Sequence, residues 1–177
     1  QISLAYMEQN RNYDFNNITC LLEGSDSLSL NGTKNLVLNG SNADHYLVTV
    51  NHNDATTIVI VNKDTNGLSI NNFKTVDDRR ISQINFENVA INADQIVATG
   101  DEAEQLIKDA INYGTLCVSA EAVGCMESCY LKTVEYTKSR EQFGQPISNF
   151  QVLQHKMVDM FIEAELCKSL LYKSMID

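Results

Sequence analysis

Apolar residues follow two different periods along the chain, one before and one after about residue 100. Before it, short apolar or β-branched runs occupy residues 36–38, 46–50 and 57–61, and residues 84–89 alternate apolar with polar side chains. Such alternation buries one face of a strand and leaves the other face in water. Turn dipeptides separate the runs, namely Asn31-Gly32, Asn39-Gly40, Asn53-Asp54 and Asn66-Gly67. Short strands at this spacing predict a small antiparallel β barrel or sandwich.

After residue 100 the apolar residues recur at helical spacing. Those of a first predicted helix, over residues 101–139, are Leu106, Ile107, Ala110, Ile111, Val118, Ala122 and Met126. Gly144 and Pro146 end this segment. A second helix is predicted to begin at Ser148, because Ser148 and Gln151 have the spacing of a capping box. The apolar stripe of that helix contains Leu153, Met157, Met160, Ala164, Cys167, Leu171 and Met175.

The change of period predicts an α+β chain with two domains. We expect residues 1–98 to form the β domain and residues 99–177 to form two long antiparallel helices of an incomplete helical bundle. Two helices cannot bury all of their apolar surface against each other, so they need further helices from absent sequence or from another subunit. We therefore expect a homo- or hetero-oligomer assembled through the two helices. Because the sequence begins at Gln1 without an initiator methionine, we also expect an internal fragment of a longer chain, or a trimmed one.

Charge and hydropathy exclude several classes of partner. The net charge is −10 and the pI is about 4.6, which argues against nucleic acid and anionic membrane surfaces as partners because both repel an acidic chain. The sequence contains no run of about 18 apolar residues, so no membrane span is predicted. The first residues have neither the basic region nor the apolar run of a signal peptide, and the cysteine usage fits a reducing cytoplasm.

The five cysteines do not have the spacing of a metal centre. Cys125 and Cys129 are four residues apart, which places both on one face of a helix. They could supply two ligands, but no histidine or third cysteine accompanies them at ligand spacing. We therefore predict small buried thiols in a reducing compartment, because a free cysteine packs as a small apolar residue.

The most specific pattern lies in residues 136–160, which read YTKSREQFGQPISNFQVLQHKMVDM. This segment resembles the signature of the acyl-CoA dehydrogenase family, in which an R-x-Q-F-G-x-P-I turn joins two helices and precedes an F-Q-x-x-Q motif. Upstream segments resemble strands and turns of the family's middle β domain, at residues 31–34 (NGTK), 38–44 (LNGSNAD), 64–68 (DTNGL) and 86–89 (FENV). The resemblance spans the whole chain and implies the middle domain plus the first half of the C-terminal helical domain.

The resemblance implies a flavoprotein that uses FAD to oxidise the Cα–Cβ bond of an acyl-CoA. In the family a carboxylate removes the α proton and the flavin accepts the β hydride, while the protein orients both partners. By resemblance, Arg140 pairs with the FAD diphosphate held by the other subunit, because a guanidinium fork suits phosphate. Gln142 then hydrogen-bonds nearby, and Phe143 packs on the adenine side. The alternative for Arg140 is a charge that compensates the dipole at the end of a helix.

Several positions depart from the family pattern. The loop T-E-P-x-x-G-S-D is represented by residues 7–14, with Met7 in place of the threonine and Tyr13 in place of the serine, although Glu8 and Asp14 agree. The strand K-x-W-I-T-N-G is represented by residues 34–40, with Leu36 at the aromatic position and Leu38 at the threonine position. Met and Leu cannot replace the hydrogen bonds that the family makes to the flavin edge.

The first helix also lacks the family's charged residues. Its arginine position is Thr115, the preceding position, where a minority of the family has the catalytic carboxylate, is Gly114, and the majority position lies beyond residue 177. Packing positions therefore match the family and chemical positions do not, which predicts a degenerate site that is inactive alone. Two alternatives stay open: a non-catalytic subunit that completes a partner's FAD site, and a divergent active dehydrogenase that has been cut short.

Overall fold

The computed structural model describes residues 1–9, 17–25 and 27–176 and divides the chain into two compact units, Gln1–Ile107 and Lys108–Asp177. The strands of the first unit are β1 Ile2–Ala5, β2 Leu21–Glu23, β3 Leu28–Leu38, β4 His45–His52, β5 Ala55–Asn62, β6 Leu68–Lys74, β7 Arg80–Ile91 and β8 Ile96–Thr99. The remaining elements are the helix α1 Asp101–Ser139, the two-residue strands β9 Glu141–Gln142 and β10 Gln145–Pro146, and the helix α2 Gln151–Ile176. The predicted α+β class and its change of period are confirmed.

The eight strands of the first unit form one open sheet in the order β6-β7-β3-β2-β4-β5-β8, with β1 added beside β4. The structure corrects the predicted small antiparallel barrel or sandwich in two respects. Both β1 and β2 run parallel to β4, with Ile2 opposite His45 and Leu21 opposite Asn51, so the sheet is mixed. Its end strands β6 and β8 do not pair with each other, so the described residues form no closed barrel.

The core of this unit consists of the apolar side chains on the buried face of the sheet. Tyr46, Val48 and Val50 of β4 and Val59 and Val61 of β5 are all fully buried. The Tyr46 hydroxyl donates a hydrogen bond of 2.7 Å to the carbonyl oxygen of Gly40, which satisfies the polar group that burial would otherwise leave unpaired. The alternation along β4 and β5 thus produces the apolar layer that the sequence predicts.

Two predicted turns had different outcomes. Asn53 and Asp54 connect β4 to β5, and their φ angles of 51° and 62° give the left-handed two-residue turn that suits a hairpin. The prediction of a turn at Asn31-Gly32 was wrong, because both residues lie within β3. A register shift follows Leu30, Gly32 has a φ of 137°, and a Cβ at Gly32 would lie 2.6 Å from the Cys20 sulfur. Glycine is therefore required here by a bulge and a close approach.

Replacing Gly32 with alanine is expected to lower the free energy of unfolding by about 2 kcal/mol, because the new methyl group both overlaps Cys20 and strains the backbone. The matched control is Gly124→Ala in α1, where an added Cβ has no neighbour within 4 Å. Alanine should be neutral there, or stabilising by up to about 1 kcal/mol. Urea unfolding of both variants measures the difference, and equal stabilities would contradict the close approach.

The second unit contains most of α1 and all of α2, which run antiparallel. The Thr137 hydroxyl donates a hydrogen bond of 3.2 Å to the Met157 sulfur, and the rings of Tyr130 and Phe161 are 5.5 Å apart. The predicted stripe of α2 is confirmed from Leu153 to Leu171, whose stripe residues are buried or half-buried, but its last predicted member, Met175, is 62% exposed. Apolar residues on other faces are exposed instead: Val158, Phe161, Ile162, Leu166 and Leu170.

Two finer predictions were wrong. Ser148 does not cap α2, because residues 147–149 form a 3-10 turn and α2 begins at Gln151; the side chain that reaches back is Gln154, which donates 3.0 Å to the Ser148 carbonyl. Of the cysteines, Cys20 is buried and Cys167 half-buried, but Cys117, Cys125 and Cys129 are exposed because α2 does not cover their side of α1. Within the described ranges, no three His, Cys, Asp or Glu residues converge as metal ligands. No described helix is long and apolar enough to cross a membrane.

Candidate functional site

The turn between α1 and α2 carries the three predicted site residues. Strands β9 and β10 form a tight hairpin in which Gln142 pairs with Gln145, and its central residues Phe143 and Gly144 have φ angles of 55° and 77°. The backbone of Arg140 is held on both sides: its N–H donates to the Tyr136 carbonyl at 2.9 Å, and its carbonyl accepts from the Ile147 N–H at 2.8 Å. The turn therefore has a defined backbone structure.

The side chains of this turn face solvent. Arg140 is exposed, and its guanidinium has no hydrogen-bond or ion-pair partner among residues 1–9, 17–25 and 27–176. Phe143 is 92% exposed, and its ring lies edge-on to the ring of Phe150 at a centroid distance of 6.1 Å. The Gln142 side chain donates to the neighbouring Glu141 carbonyl at 2.7 Å. A guanidinium free of protein partners can bind a phosphate, and an exposed aromatic ring in the same turn can stack on a planar base.

The strand positions predicted to face a flavin form an apolar surface in the first unit. The Asn35 N–H donates 2.8 Å to the Met7 carbonyl, which joins the segment after β1 to β3. Leu36 lies at a second bulge of β3 with a φ of 51°, and it is 49% exposed, whereas Leu38 is 64% exposed. Leu38 pairs with Ile81, and Ile81 pairs with Phe73, so the apolar surface continues across three strands.

The side chains of Met7, Leu36 and Leu38 cannot donate a hydrogen bond to the polar edge of a flavin ring. The nearby amide of Asn35 accepts a hydrogen bond of 2.7 Å from Gln83 through its oxygen, while its nitrogen is buried without a partner. A bound flavin edge would therefore lose the side-chain hydrogen bonds that the family supplies, although its apolar part could pack here. Tyr13 and Asp14, the other positions of this loop, lie outside the described residues.

A buried ion pair beneath this surface was missed by the sequence analysis. Glu8 and Lys34 have side chains that are 4% and 0% exposed, and the Lys34 ammonium lies 2.6 Å from Glu8 Oε1. The ammonium also donates to Thr49 Oγ1 at 3.0 Å. The backbone N–H groups of Thr19 and Cys20 donate to the Glu8 carboxylate at 2.8 and 3.1 Å, and the Thr19 hydroxyl donates to it as well. The Glu8 carboxylate thus accepts hydrogen bonds from Lys34 of β3 and from Thr19 and Cys20, which precede β2.

The surroundings of this pair shift two pKa values. Burial alone would raise the pKa of Glu8, but the charge and hydrogen bond of Lys34 together with the hydrogen bonds of Thr19 lower that pKa to about 2. Burial raises the pKa of the Cys20 thiol to about 11. Glu8 is therefore ionised at all ordinary pH values and is no proton carrier, and Cys20 is a protonated thiol of low nucleophilicity.

The positions expected to hold an arginine and a carboxylate in α1 have no charge. Gly114 has open space around it, and the Thr115 hydroxyl donates 2.8 Å to the Ile111 carbonyl of its own helix. Thr115 lines an open groove of about 710 Å³ in the second unit, between α1 and α2. The groove is mainly apolar and includes Leu116, Val123, Met126, Leu170 and Leu171, with Asp109 at its edge.

Comparison with known proteins covers both units. Residues 3–89 match the acyl-CoA dehydrogenase middle domain, and residues 105–175 match the acyl-CoA dehydrogenase C-terminal domain. A short-chain specific acyl-CoA dehydrogenase of Megasphaera elsdenii is 27% identical over 82% of this chain and 40% of its own length. The short/branched chain specific acyl-CoA dehydrogenase of Rattus norvegicus mitochondria is 28% identical over 88% of this chain and 41% of its own length.

A solved structure described as PigA with FAD and proline superposes on 97% of this chain and 47% of its own, with a TM-score of 0.91 and 25% identity. The chain thus spans about two-fifths of the length of the curated relatives. The first match ends in β7 and the second begins in α1, so the two domains follow each other along the chain in the same order as the sheet and the helix pair. The chain therefore belongs to the acyl-CoA dehydrogenase family, of which it carries middle-domain and C-terminal-domain sequence.

Proposed function

We propose that this chain is part of an FAD-dependent acyl-CoA dehydrogenase-like flavoprotein, in which the turn of residues 140–144 contacts the FAD. The observation that carries the proposal is that one turn exposes both Arg140, whose guanidinium has no partner among the described residues, and the 92% exposed ring of Phe143. A phenylalanine with a positive φ and an exposed ring is unfavourable in an isolated chain, so a binding partner explains it best. The match to PigA with FAD and proline supports FAD as that partner.

At this turn the residues suit the cofactor. Arg140 would hold the diphosphate through its two-pronged guanidinium, and Phe143 would pack on the adenine. Gln142 would turn its amide from Glu141 toward the ligand. When bound in a complete site, FAD supplies the hydride acceptor for oxidation of the Cα–Cβ bond of an acyl-CoA.

At the sheet surface the residues do not suit the flavin ring. Met7, Leu36 and Leu38 offer no hydrogen bond to its polar edge, and Thr115 and Gly114 provide no base. We therefore propose that the site is degenerate and that the chain is inactive alone. The exposed turn equally favours a second role, in which this chain is a non-catalytic subunit that completes the FAD site of a partner. A divergent dehydrogenase of which this is a portion is the remaining alternative.

Assembly through the helices belongs to the same proposal. The exposed apolar residues of α2 lie four residues apart, at Val158, Ile162 and Leu166, and such a ridge packs into the groove of another helix. An apolar surface of this extent is unusual on an isolated monomer. We propose a homo- or hetero-oligomer that covers it. A cytoplasmic location is proposed because all five cysteines are free, which suits a reducing compartment.

Calorimetric titration with FAD tests the proposal. We expect weak binding by the unmodified chain, with a dissociation constant above about 1 μM, and at least a tenfold weaker affinity for Arg140→Ala, because a charged hydrogen bond contributes about 1.5–3 kcal/mol. Lys138→Ala is the control, since it removes one exposed positive charge two residues away. Equal affinities of Arg140→Ala and the unmodified chain would contradict the role of the turn. Submicromolar binding, or reduction of an acceptor dye by an acyl-CoA, would contradict the degenerate site.

A further inference from the structure

The Glu8–Lys34 pair joins the segment after β1 to β3 at three successive positions. The Lys34 ammonium donates to the Tyr6 carbonyl at 3.5 Å and to the Glu8 carboxylate at 2.6 Å. At the residue between them, the Met7 carbonyl accepts a hydrogen bond of 2.8 Å from the Asn35 N–H. Every residue from Tyr6 to Glu8 is therefore held by Lys34 or by the residue after it. The contacts occur directly before the bulge that turns Leu36 outward.

Stability alone is a weak reason for burying two charges. Removing an ammonium and a carboxylate from water costs several kcal/mol for each ion, and well-packed apolar residues often replace such a pair without loss. Unlike an apolar pair, the ion pair makes directional hydrogen bonds. An ammonium with three donors fixes the positions of Tyr6, Glu8 and Thr49 relative to one another.

We propose that Glu8 and Lys34 are a positioning pair that sets Met7 against Leu36 and so fixes the apolar surface of the first unit. The idea that this surface faces a ligand rests on the proposed function. The idea that the ion pair fixes the surface is independent of the proposed function. Neither residue touches the ligand in this proposal. Their effect passes through the hydrogen bond between Asn35 and Met7, which is the contact that loosens when the pair is removed.

The test compares amide hydrogen exchange in the unmodified chain and in the double variant Glu8→Gln/Lys34→Met. The variant leaves no unpaired buried charge, and the Gln oxygen can still accept from Thr19 or Cys20. We expect hydrogen exchange of the Asn35 amide to accelerate at least about tenfold relative to the amides of the core residues Val48 and Val59. The reason is that the contact between Asn35 and Met7 can open locally while the core stays folded. A merely structural role would accelerate all three amides together, and that result, or an unchanged Asn35, would overturn the proposal.

A milder variant provides the same test if the double variant does not fold. Thr49→Val removes one contact of the Lys34 ammonium and preserves the ion pair. It should accelerate Asn35 exchange a few-fold relative to the same reference amides, and no relative change would overturn the proposal. All measurements are made without FAD. A failure of FAD binding would therefore count against the proposed function and leave the exchange result intact.

Discussion

Replacing Lys34 with methionine is expected to lower the free energy of unfolding by about 3–5 kcal/mol, the largest loss expected from any single substitution considered for this chain. The reason is the carboxylate that remains. Glu8 is buried, and its pKa of about 2 in the folded chain depends on the charge and hydrogen bond of Lys34. Without Lys34 it would be an uncompensated charge in an apolar core, held only by the donors of Thr19 and Cys20.

The control for this substitution is Lys63→Met. Lys63 also pairs with a carboxylate, that of Asp44 at 3.6 Å, but its side chain is 41% exposed and that of Asp44 is 55% exposed. An exposed pair of this kind contributes at most about 1 kcal/mol, so its loss should be small. Urea unfolding followed by circular dichroism measures both variants against the unmodified chain. Similar losses for the two lysines would show that burial of the Glu8 charge does not decide the stability.

This ion pair also marks what the sequence could not predict. Local periodicity predicted strands β3, β4, β5 and β7 and both helices, because the period depends on near neighbours. Glu8 and Lys34 are 26 positions apart, and a lysine within a strand is ordinarily a solvent-facing residue. The parallel pairing of β1 and β2 with β4 was missed for the same reason, since strand order depends on contacts distant in sequence.

Glycine at position 32 shows how a local pattern misleads when a distant contact decides the structure. Asn-Gly is the strongest short hairpin pattern, yet here it lies within β3. The close approach of Cys20 is what requires a residue without a Cβ. The cap predicted at Ser148 failed in a similar way, because the 3-10 turn of residues 147–149 carries the chain past Ser148 before α2 begins.

The candidate site was predicted unevenly. The turn of residues 140–144 was located from its motif, and the structure adds that Arg140 and Phe143 are exposed on a two-stranded hairpin. Whether they bind FAD stays a prediction. The apolar character of Leu36 and Leu38 was also predicted, but the bulge that turns Leu36 outward was not. A bulge depends on the pairing of β3 with β7, which no single strand encodes.

Acidification is expected to remove about 3 kcal/mol of stability through Glu8 alone as the pH falls from 4.5 to 2. The folded pKa of about 2 lies below the ordinary value of 4.5, so the folded chain holds this proton less tightly than the unfolded chain. The contribution is therefore complete above pH 4.5. It declines as the pH drops through that value and is lost once the pH falls below the folded pKa. Burial of the side chain limits screening by solvent, so most of this contribution should be measurable.

Glu8→Gln removes the titrating group and keeps one oxygen, which can accept from Thr19 or from Cys20. Because this variant leaves the Lys34 ammonium buried without its partner charge, its stability is lower at every pH, and only the slope of stability against pH is compared. Asp44 and Asp77 also have lowered pKa values, through the N-terminal amine for Asp44 and through Thr75 for Asp77, but both are exposed and are unchanged in the variant. Urea unfolding at pH 2, 3, 4.5 and 7 should therefore give a steeper loss for the unmodified chain than for Glu8→Gln. Parallel curves for the two proteins would contradict the assignment, since Glu8 would then titrate alike in the folded and unfolded chains.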